Sequence, residues 1–175
     1  MQRKEQGFTL IELMVTIAVL GIIATWAIPS FGNLVAKQKI NSATRELIVG
    51  VNQAKSQAAI MKTSVAVCLN KTNSDPDFDR NKCASAAIPE YTTTTGTPPV
   101  AVLTDDQKKE VRNTRVISVP VDKQITVSST SAASILFNEV GMASSAATFS
   151  ICKSPFLATV TVSKLGNVSQ TSGTC

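Results

Sequence analysis

Glu12 is the one charged side chain between Phe8 and Phe31, in the run FTLIELMVTIAVLGIIATWAIPSF. A carboxylate in so apolar a segment costs a few kcal/mol unless a cation meets it, which makes Glu12 a functional candidate. The four cysteines, Cys68, Cys83, Cys152 and Cys175, are the next group able to do chemistry. An even count outside the cytoplasm suggests disulfides, and four cysteines allow three pairings. The local pairs Cys68–Cys83 and Cys152–Cys175 are favoured, the second tying down a segment that would otherwise fray. Free, partly buried thiols are the alternative.

Other chemistry is harder to build. Histidine is absent, which removes the commonest general base and the commonest metal ligand. Asp75, Asp77 and Asp79 alternate like the start of a calcium loop. However, Arg80 stands where a glycine is needed and Ala86 where a bidentate glutamate belongs, so a solvated acidic loop is expected. Lys108, Lys109, Arg112 and Arg115 form a basic cluster interleaved with Asp105, Asp106 and Glu110. A solvated, salt-bridged face is the expected reading of that cluster. The net charge of +5 is mild, and aromatics at 5 % are too few for a base-stacking surface. No spacing supports Ser-Lys or paired-carboxylate catalysis, and a non-enzyme is expected.

The elements that must position these residues follow from the pattern. Residues 1–7, MQRKEQG, are polar and carry Arg3 and Lys4. About 20 apolar residues span a bilayer as a helix, and basic residues before the span stay in the cytoplasm. The part after the span is then expected outside, in an oxidising compartment. A secretory signal peptide would have a shorter apolar core followed by a small-residue cleavage site. A plain anchor would explain the hydrophobicity but not Glu12.

After Pro29 the pattern turns amphipathic. Leu34, Ile40, Ala43, Leu47, Ile48, Val51, Ala54, Ala58 and Met61 recur at steps of three and four. One helix from about Thr9 to about Met61 is predicted, its second half packed on a sheet. Strands are predicted over 64–69, 115–119, 124–128, 134–137, 148–152, 158–163 and 167–169, with a turn at Lys164-Leu165-Gly166. Short alternating strands imply an antiparallel arrangement and an α+β fold. Between Asn70 and Asn113 a long polar stretch is predicted as loop, with one short helix over 105–112 capped by Thr104 and Gln107. The expected division is 1–7, a leader; 8–31, a transmembrane and polymerisation helix; and 32–175, a soluble domain that includes the amphipathic half of the helix.

Gly7-Phe8-Thr9-Leu10-Ile11-Glu12 resembles the cleavage motif of type IV prepilins and pseudopilins. The resemblance implies a type IV pilin-like fold. It also implies that prepilin peptidase cuts between Gly7 and Phe8 and methylates the new amine on Phe8. Glu12, with Thr9 beside it, becomes an assembly residue, pairing with the N-terminal amine of a neighbouring subunit. Gly21 and Pro29 fit the family's first helix, where they are expected to kink it or to let it melt in a filament.

The later order of segments, from Ile135 to Gly141, Phe149 to Cys152 and Val160 to Val168, resembles the GspH/FimT/FimU group of minor pilins and pseudopilins, on its FimU side. That implies other minor pilins, the major pilin, the peptidase and the inner membrane as partners, with no cofactor and no metal. The implied location is single-pass in the inner membrane with a periplasmic domain, then the cell-surface pilus. Two alternatives stay open. One is a minor pseudopilin of a type II secretion system. The other is a FimT-like DNA-binding pilin, but the family's Gly-Arg-x-Arg stretch is here Gly166-Asn167-Val168-Ser169, without arginine. Phosphate binding rests on clustered Lys and Arg, which argues against nucleic acid as a partner.

Overall fold

The computed structural model describes residues 8–92 and 103–175, apart from the side chains of residues 26–30. By its internal contacts the chain divides into two compact units, Met1–Ala36 and Lys37–Cys175. Helix α1, Leu10–Met61, begins in the first and ends in the second, and its helical assignment runs without a break through Gly21 and Pro29.

In the first unit α1 is apolar on every side. Leu10, Ile11, Leu13, Met14, Val15, Ile17, Val19, Leu20, Ile22 and Ile23 are all exposed. Its hydroxyls are satisfied within the helix: Thr16 donates to the Leu13 carbonyl at 2.8 Å and Thr25 to the Ile22 carbonyl at 2.7 Å. Among the described residues no helix is long and apolar enough to cross a membrane. The span expected over 8–31 includes residues 26–30, whose side chains lie outside the described set.

In the second unit α1 becomes one-sided. Ile40, Ala43, Leu47, Val51, Ala54 and Ala58 are buried at the three- and four-residue steps that bring them to one stripe. The stripe is built largely of small residues, which brings the sheet close to the helix backbone. At Gly50 the approach is tightest, for a Cβ there would sit 2.8 Å from Val119 Cγ2. Glycine costs a helix about 1 kcal/mol relative to alanine, and close packing on the strand is what it allows here. The helix stops at Lys62, which takes a left-handed φ of 53°, while Thr63 N–H closes back on the Ala58 carbonyl at 3.4 Å.

Seven strands follow: β1 (Val65–Leu69), β2 (Val116–Val119), β3 (Thr126–Val127), β4 (Ser134–Phe137), β5 (Ala147–Lys153), β6 (Phe156–Val162) and β7 (Val168–Thr174). They form two sheets, ordered β2-β1-β4 and β3-β5-β6-β7. Every pairing is antiparallel except β1 with β2, which is parallel. One core cluster draws on α1 and both sheets, with Leu47, Val51, Val67, Phe137, Phe149, Ile151 and Val160 at its centre.

The parallel pair explains the segment read as loop. Parallel neighbours need a crossover of a dozen residues or more. Here it contains α2 (Arg80–Ala87), α3 (Pro89–Thr92) and α4 (Asp105–Thr114), where only the last was expected. All five residues of β1 are buried. Val65, Val67 and Leu69 enter the main core, and Ala66 and Cys68 enter a second one with Cys83, Ala84, Ile88, Tyr91, Val111 and Val116. The crossover helices are therefore the cover for the other face of β1. The Cys68–Cys83 disulfide ties that cover to the strand. For α4 the expected caps are present: Thr104 and Gln107 form a reciprocal capping box.

Two glycine turns complete the unit. Gly141 and Gly166 have φ of 77° and 75°, conformations that favour glycine. Both pack against Lys55 of α1, whose Nζ donates to the carbonyls of Leu165 at 3.4 Å and Gly166 at 3.5 Å.

Candidate functional site

The first turn of α1 holds the residues that the sequence singled out. Thr9 precedes the helix and Glu12 lies in its first turn. Thr9 N–H donates to Glu12 Oε2 at 3.0 Å, and Thr9 Oγ1 donates to the same oxygen at 2.8 Å. In return Glu12 N–H donates to Thr9 Oγ1 at 3.3 Å. This is a reciprocal capping box, Thr-x-x-Glu, which satisfies two of the donors that a helix start leaves open. The Thr9 carbonyl accepts the first helical bond, from Leu13 N–H at 3.2 Å.

Glu12 thus has a local partner that the sequence reading did not assign to it. Thr9 appeared there as an assembly residue, and the signal for its second role was the Thr-x-x-Glu spacing itself. Both donors go to Oε2. Around the carboxylate, Phe8, Ile11, Val15 and Thr16 line a shallow recess of about 290 Å³ with apolar walls. Phe8 is 81 % exposed. The arrangement fixes one carboxylate at the start of an apolar helix, with room for a small cationic group beside it.

Of the remaining predicted residues, Gly7 lies outside the described residues, as does the side chain of Pro29. A side chain at Gly21 would meet nothing within 4 Å. The cysteines are joined as Cys68–Cys83 and Cys152–Cys175, each with Cα atoms 6.0 Å apart. Among the described residues no group of side chains is arranged to hold a metal ion. The aspartates of the 75–79 loop are used locally. Asp75 pairs with Lys82 at 2.8 Å and accepts from Asp77 N–H at 3.0 Å; these bonds, the lysine's first, hold its carboxyl below the usual value. Asp79 caps α2 by accepting from Lys82 N–H at 2.8 Å.

The basic cluster differs from the expected interleaved face. Among the described residues none of Asp105, Asp106 and Glu110 forms a salt bridge with it. Arg115 turns into the domain instead, pairing with Glu90 at 2.8 Å and donating to the Ser64 carbonyl at 2.8 Å. Arg112 donates to the Tyr91 hydroxyl at 2.8 Å, and Lys108 lies 5.9 Å over the Tyr91 ring. Partial burial alone would raise the Glu90 carboxyl. The Arg115 hydrogen bond, a main-chain N–H and the Arg115 charge outweigh it and hold the group below its ordinary value. Nothing in the local sequence marks Glu90, because its partner is 25 positions away.

A long helix with an apolar head, capped by Thr9 and Glu12 and carrying a disulfide-bonded sheet domain on its second half, defines a type IV pilin-like subunit. Residues 2–28 match the family model described as the prokaryotic N-terminal methylation motif. Residues 43–166 match the model described as type II transport protein GspH. The chain belongs to this GspH family, within the GspH/FimT group of type IV pilin-like proteins.

Among curated proteins it is similar to the type IV major fimbrial protein FimA of Dichelobacter nodosus, with 35 % identity over 69 residues, 39 % of this chain and 37 % of the relative. It is also similar to a fimbrial protein of Pseudomonas aeruginosa, with 32 % identity over 77 residues, 44 % of this chain and 48 % of the relative. The fimbrial protein EcpB of Eikenella corrodens is 50 % identical over 44 residues, 25 % of this chain and 28 % of the relative. The chain spans less than half the length of these relatives. No solved structure matches it.

Proposed function

We propose that the chain is a structural, non-catalytic minor pilin of a type IV pilus, on the FimU side of its group. In this reading prepilin peptidase cuts between Gly7 and Phe8 and methylates the Phe8 amine. Before assembly the apolar helix sits in the inner membrane with the domain in the periplasm. It then leaves lipid for the filament core, where other minor pilins and the major pilin surround it. Glu12 keeps Thr9 on Oε2 and takes a neighbour's Phe8 amine on its other oxygen. The observation that carries the reading is the stretch of α1 from Leu10 to Ile23, apolar on all sides and exposed, with one carboxylate in its first turn. Such a surface is stable only against lipid or other helices.

The test is Glu12→Ala in cells that make filaments. The variant is expected to be cleaved at Gly7 and to accumulate normally, yet to be missing from sheared filaments. Normal incorporation of the mature variant would defeat the assembly role. Gly21 and Pro29 supply the places where the helix loosens on packing.

A second reading, a minor pseudopilin of a type II secretion system, is favoured by the description of the family model over residues 43–166. Deleting the chain's gene separates the two: loss of pili supports the first, and loss of a secreted enzyme with pili intact supports the second. A DNA-binding role draws little support, for Lys153 and Lys164 are the only cations between Phe149 and Cys175.

A further inference from the structure

The end of the second unit at which α1 enters is rich in lysine. Lys37 is the first residue of that unit, and Lys39 follows two positions on. Lys39 Nζ donates to Asp122 Oδ2 at 2.9 Å and to Gln124 Oε1 at 3.1 Å. Lys71, just past β1, donates to the carbonyls of Asp122 at 3.3 Å and Lys123 at 3.4 Å. Lys153, at the end of β5, acts on Asp122 through its charge. The bond from Gln124 N–H, then the bond from Lys39 and the charges of Lys39 and Lys153, hold the Asp122 carboxyl below its ordinary value. Lys39, Lys71, Lys123 and Lys153 thus gather round one aspartate.

Counter-charge is scarce there. Glu46, which lines a recess with Lys39 and Asp122, adds a second carboxylate. Asp75, close to Lys71 in sequence, is taken by Lys82 at 2.8 Å. With Lys37, five lysines therefore meet two carboxylates, and both Lys37 and Lys123 are exposed. Like charges gathered at a surface repel, and an anionic partner turns that repulsion into binding. The chain itself sets what lies next to the patch. Leu34 and Val35 are exposed apolar residues, so the apolar stretch of α1 runs to within two positions of Lys37. From Phe31, the last residue of the expected span, six helical steps of about 1.5 Å reach Lys37, roughly 9 Å in all. Exposed charges still act over a Debye length of about 8 Å.

We propose that this lysine end docks on the anionic phospholipid headgroups of the membrane that receives α1, and so holds the domain against the bilayer before assembly. The inference rests on the membrane placement proposed above. Charge and adjacency carry the choice of partner. Duplex DNA would answer the same lysines, but it offers nothing to the apolar residues next to Lys37 in the chain. A bilayer is apolar within and anionic at its rim, and it matches both. Each lysine near such a surface strengthens the contact roughly fivefold, and salt screens it. The contact is thus firm while the helix sits in lipid, and it is given up when the helix is withdrawn.

The test uses the full-length chain in bilayer nanodiscs of phosphatidylcholine, alone or with a third of the lipid replaced by phosphatidylglycerol. Lysines are acetylated with an uncharged reagent and read by mass spectrometry. Lys123 and Lys153 are expected to react roughly fivefold more slowly in the anionic discs, with Lys62 and Lys109 unchanged, and raised salt should remove the difference. Lys37→Gln combined with Lys153→Gln should remove most of the slowing at Lys123, with both disulfides intact by thiol alkylation. Several results would overturn the docking. These are equal rates at Lys123 in the two discs, equal slowing at Lys62 and Lys109, or slowing that persists in the double variant. Slowing in neutral discs by free inorganic phosphate would do the same, as would slowing by a DNA duplex with none from anionic lipid. Co-elution with the discs reads the membrane placement separately. A chain that leaves the discs defeats that placement and the docking with it, whereas one that stays with unslowed lysines defeats the docking alone.

Discussion

The two halves of α1 are made of similar residues and treat them oppositely. Between Leu10 and Ile23 the apolar side chains point in every direction and all remain exposed. Between Ile40 and Ala58 they keep to one stripe, Val49 excepted, and the sheets cover it. The second half completes its packing within its own chain. The first half does not, and the box formed by Thr9 and Glu12 completes only its first turn. Stability and assembly are thereby assigned to different stretches of one helix, and mutations should separate them.

The largest separation is expected from Phe149→Ala set against Ile17→Ala. Phe149 is fully buried, and truncating such a residue costs about 3–5 kcal/mol, a large share of a domain's stability. Ile17 is exposed, and its truncation should leave the domain's unfolding unchanged within about 0.5 kcal/mol while lowering incorporation into filaments. Urea unfolding followed by circular dichroism, beside filament shearing, checks both arms. Equal loss of stability in the two variants would break the comparison.

A middle-sized effect is expected at Arg115. Its side chain is only 14 % exposed, and Arg115→Ala leaves Glu90 and the Ser64 carbonyl without its bonds, at a cost of about 2 kcal/mol. The pair also carries a pH signature. The Glu90 carboxyl is held below its ordinary 4.5, so the stability it supplies is complete above that value and is lost as pH falls through the lower folded-state value. Thermal melts from pH 6 down to pH 3 should fall less steeply in Arg115→Ala than in the parent. Parallel curves would remove Glu90 as the source.

The smallest effect sharpens the first half. Thr9→Ala removes one side of the capping box, worth about 1 kcal/mol locally. Hydrogen exchange at Glu12 and Leu13 should quicken by roughly fivefold, with domain amides unchanged. An unchanged rate at those residues would mean that Glu12 does not depend on Thr9.

What was legible in the sequence follows from how regular the burial is. The stripe from Ile40 to Ala58 and the alternation in β5 and β6 each repeat with a helix or strand period, and both were readable. α2 was not, because its sequence, RNKCASAA, buries only Cys83 and Ala84 and shows no apolar period. The parallel pairing of β1 and β2 was equally hidden, since a run of five buried residues does not say which neighbour covers its second face. β7 was read as three residues instead of seven, because polar side chains exposed on both faces leave no alternation to detect. At the N-terminus Glu12 stands out by its isolation among apolar residues. Its bond to Thr9 is carried by the Thr-x-x-Glu spacing.

The tie between Cys152 and Cys175 gives β7, exposed over nearly all its length, a schedule. Thiols couple only where an oxidant reaches them, so a newly made copy still in a reducing cytoplasm holds β7 through its hairpin with β6 and nothing covalent. β7 fully buries none of its own side chains, so its ladder with β6 is the weaker of its attachments. If the domain is exported as proposed, β7 gains its second attachment only on reaching an oxidising compartment.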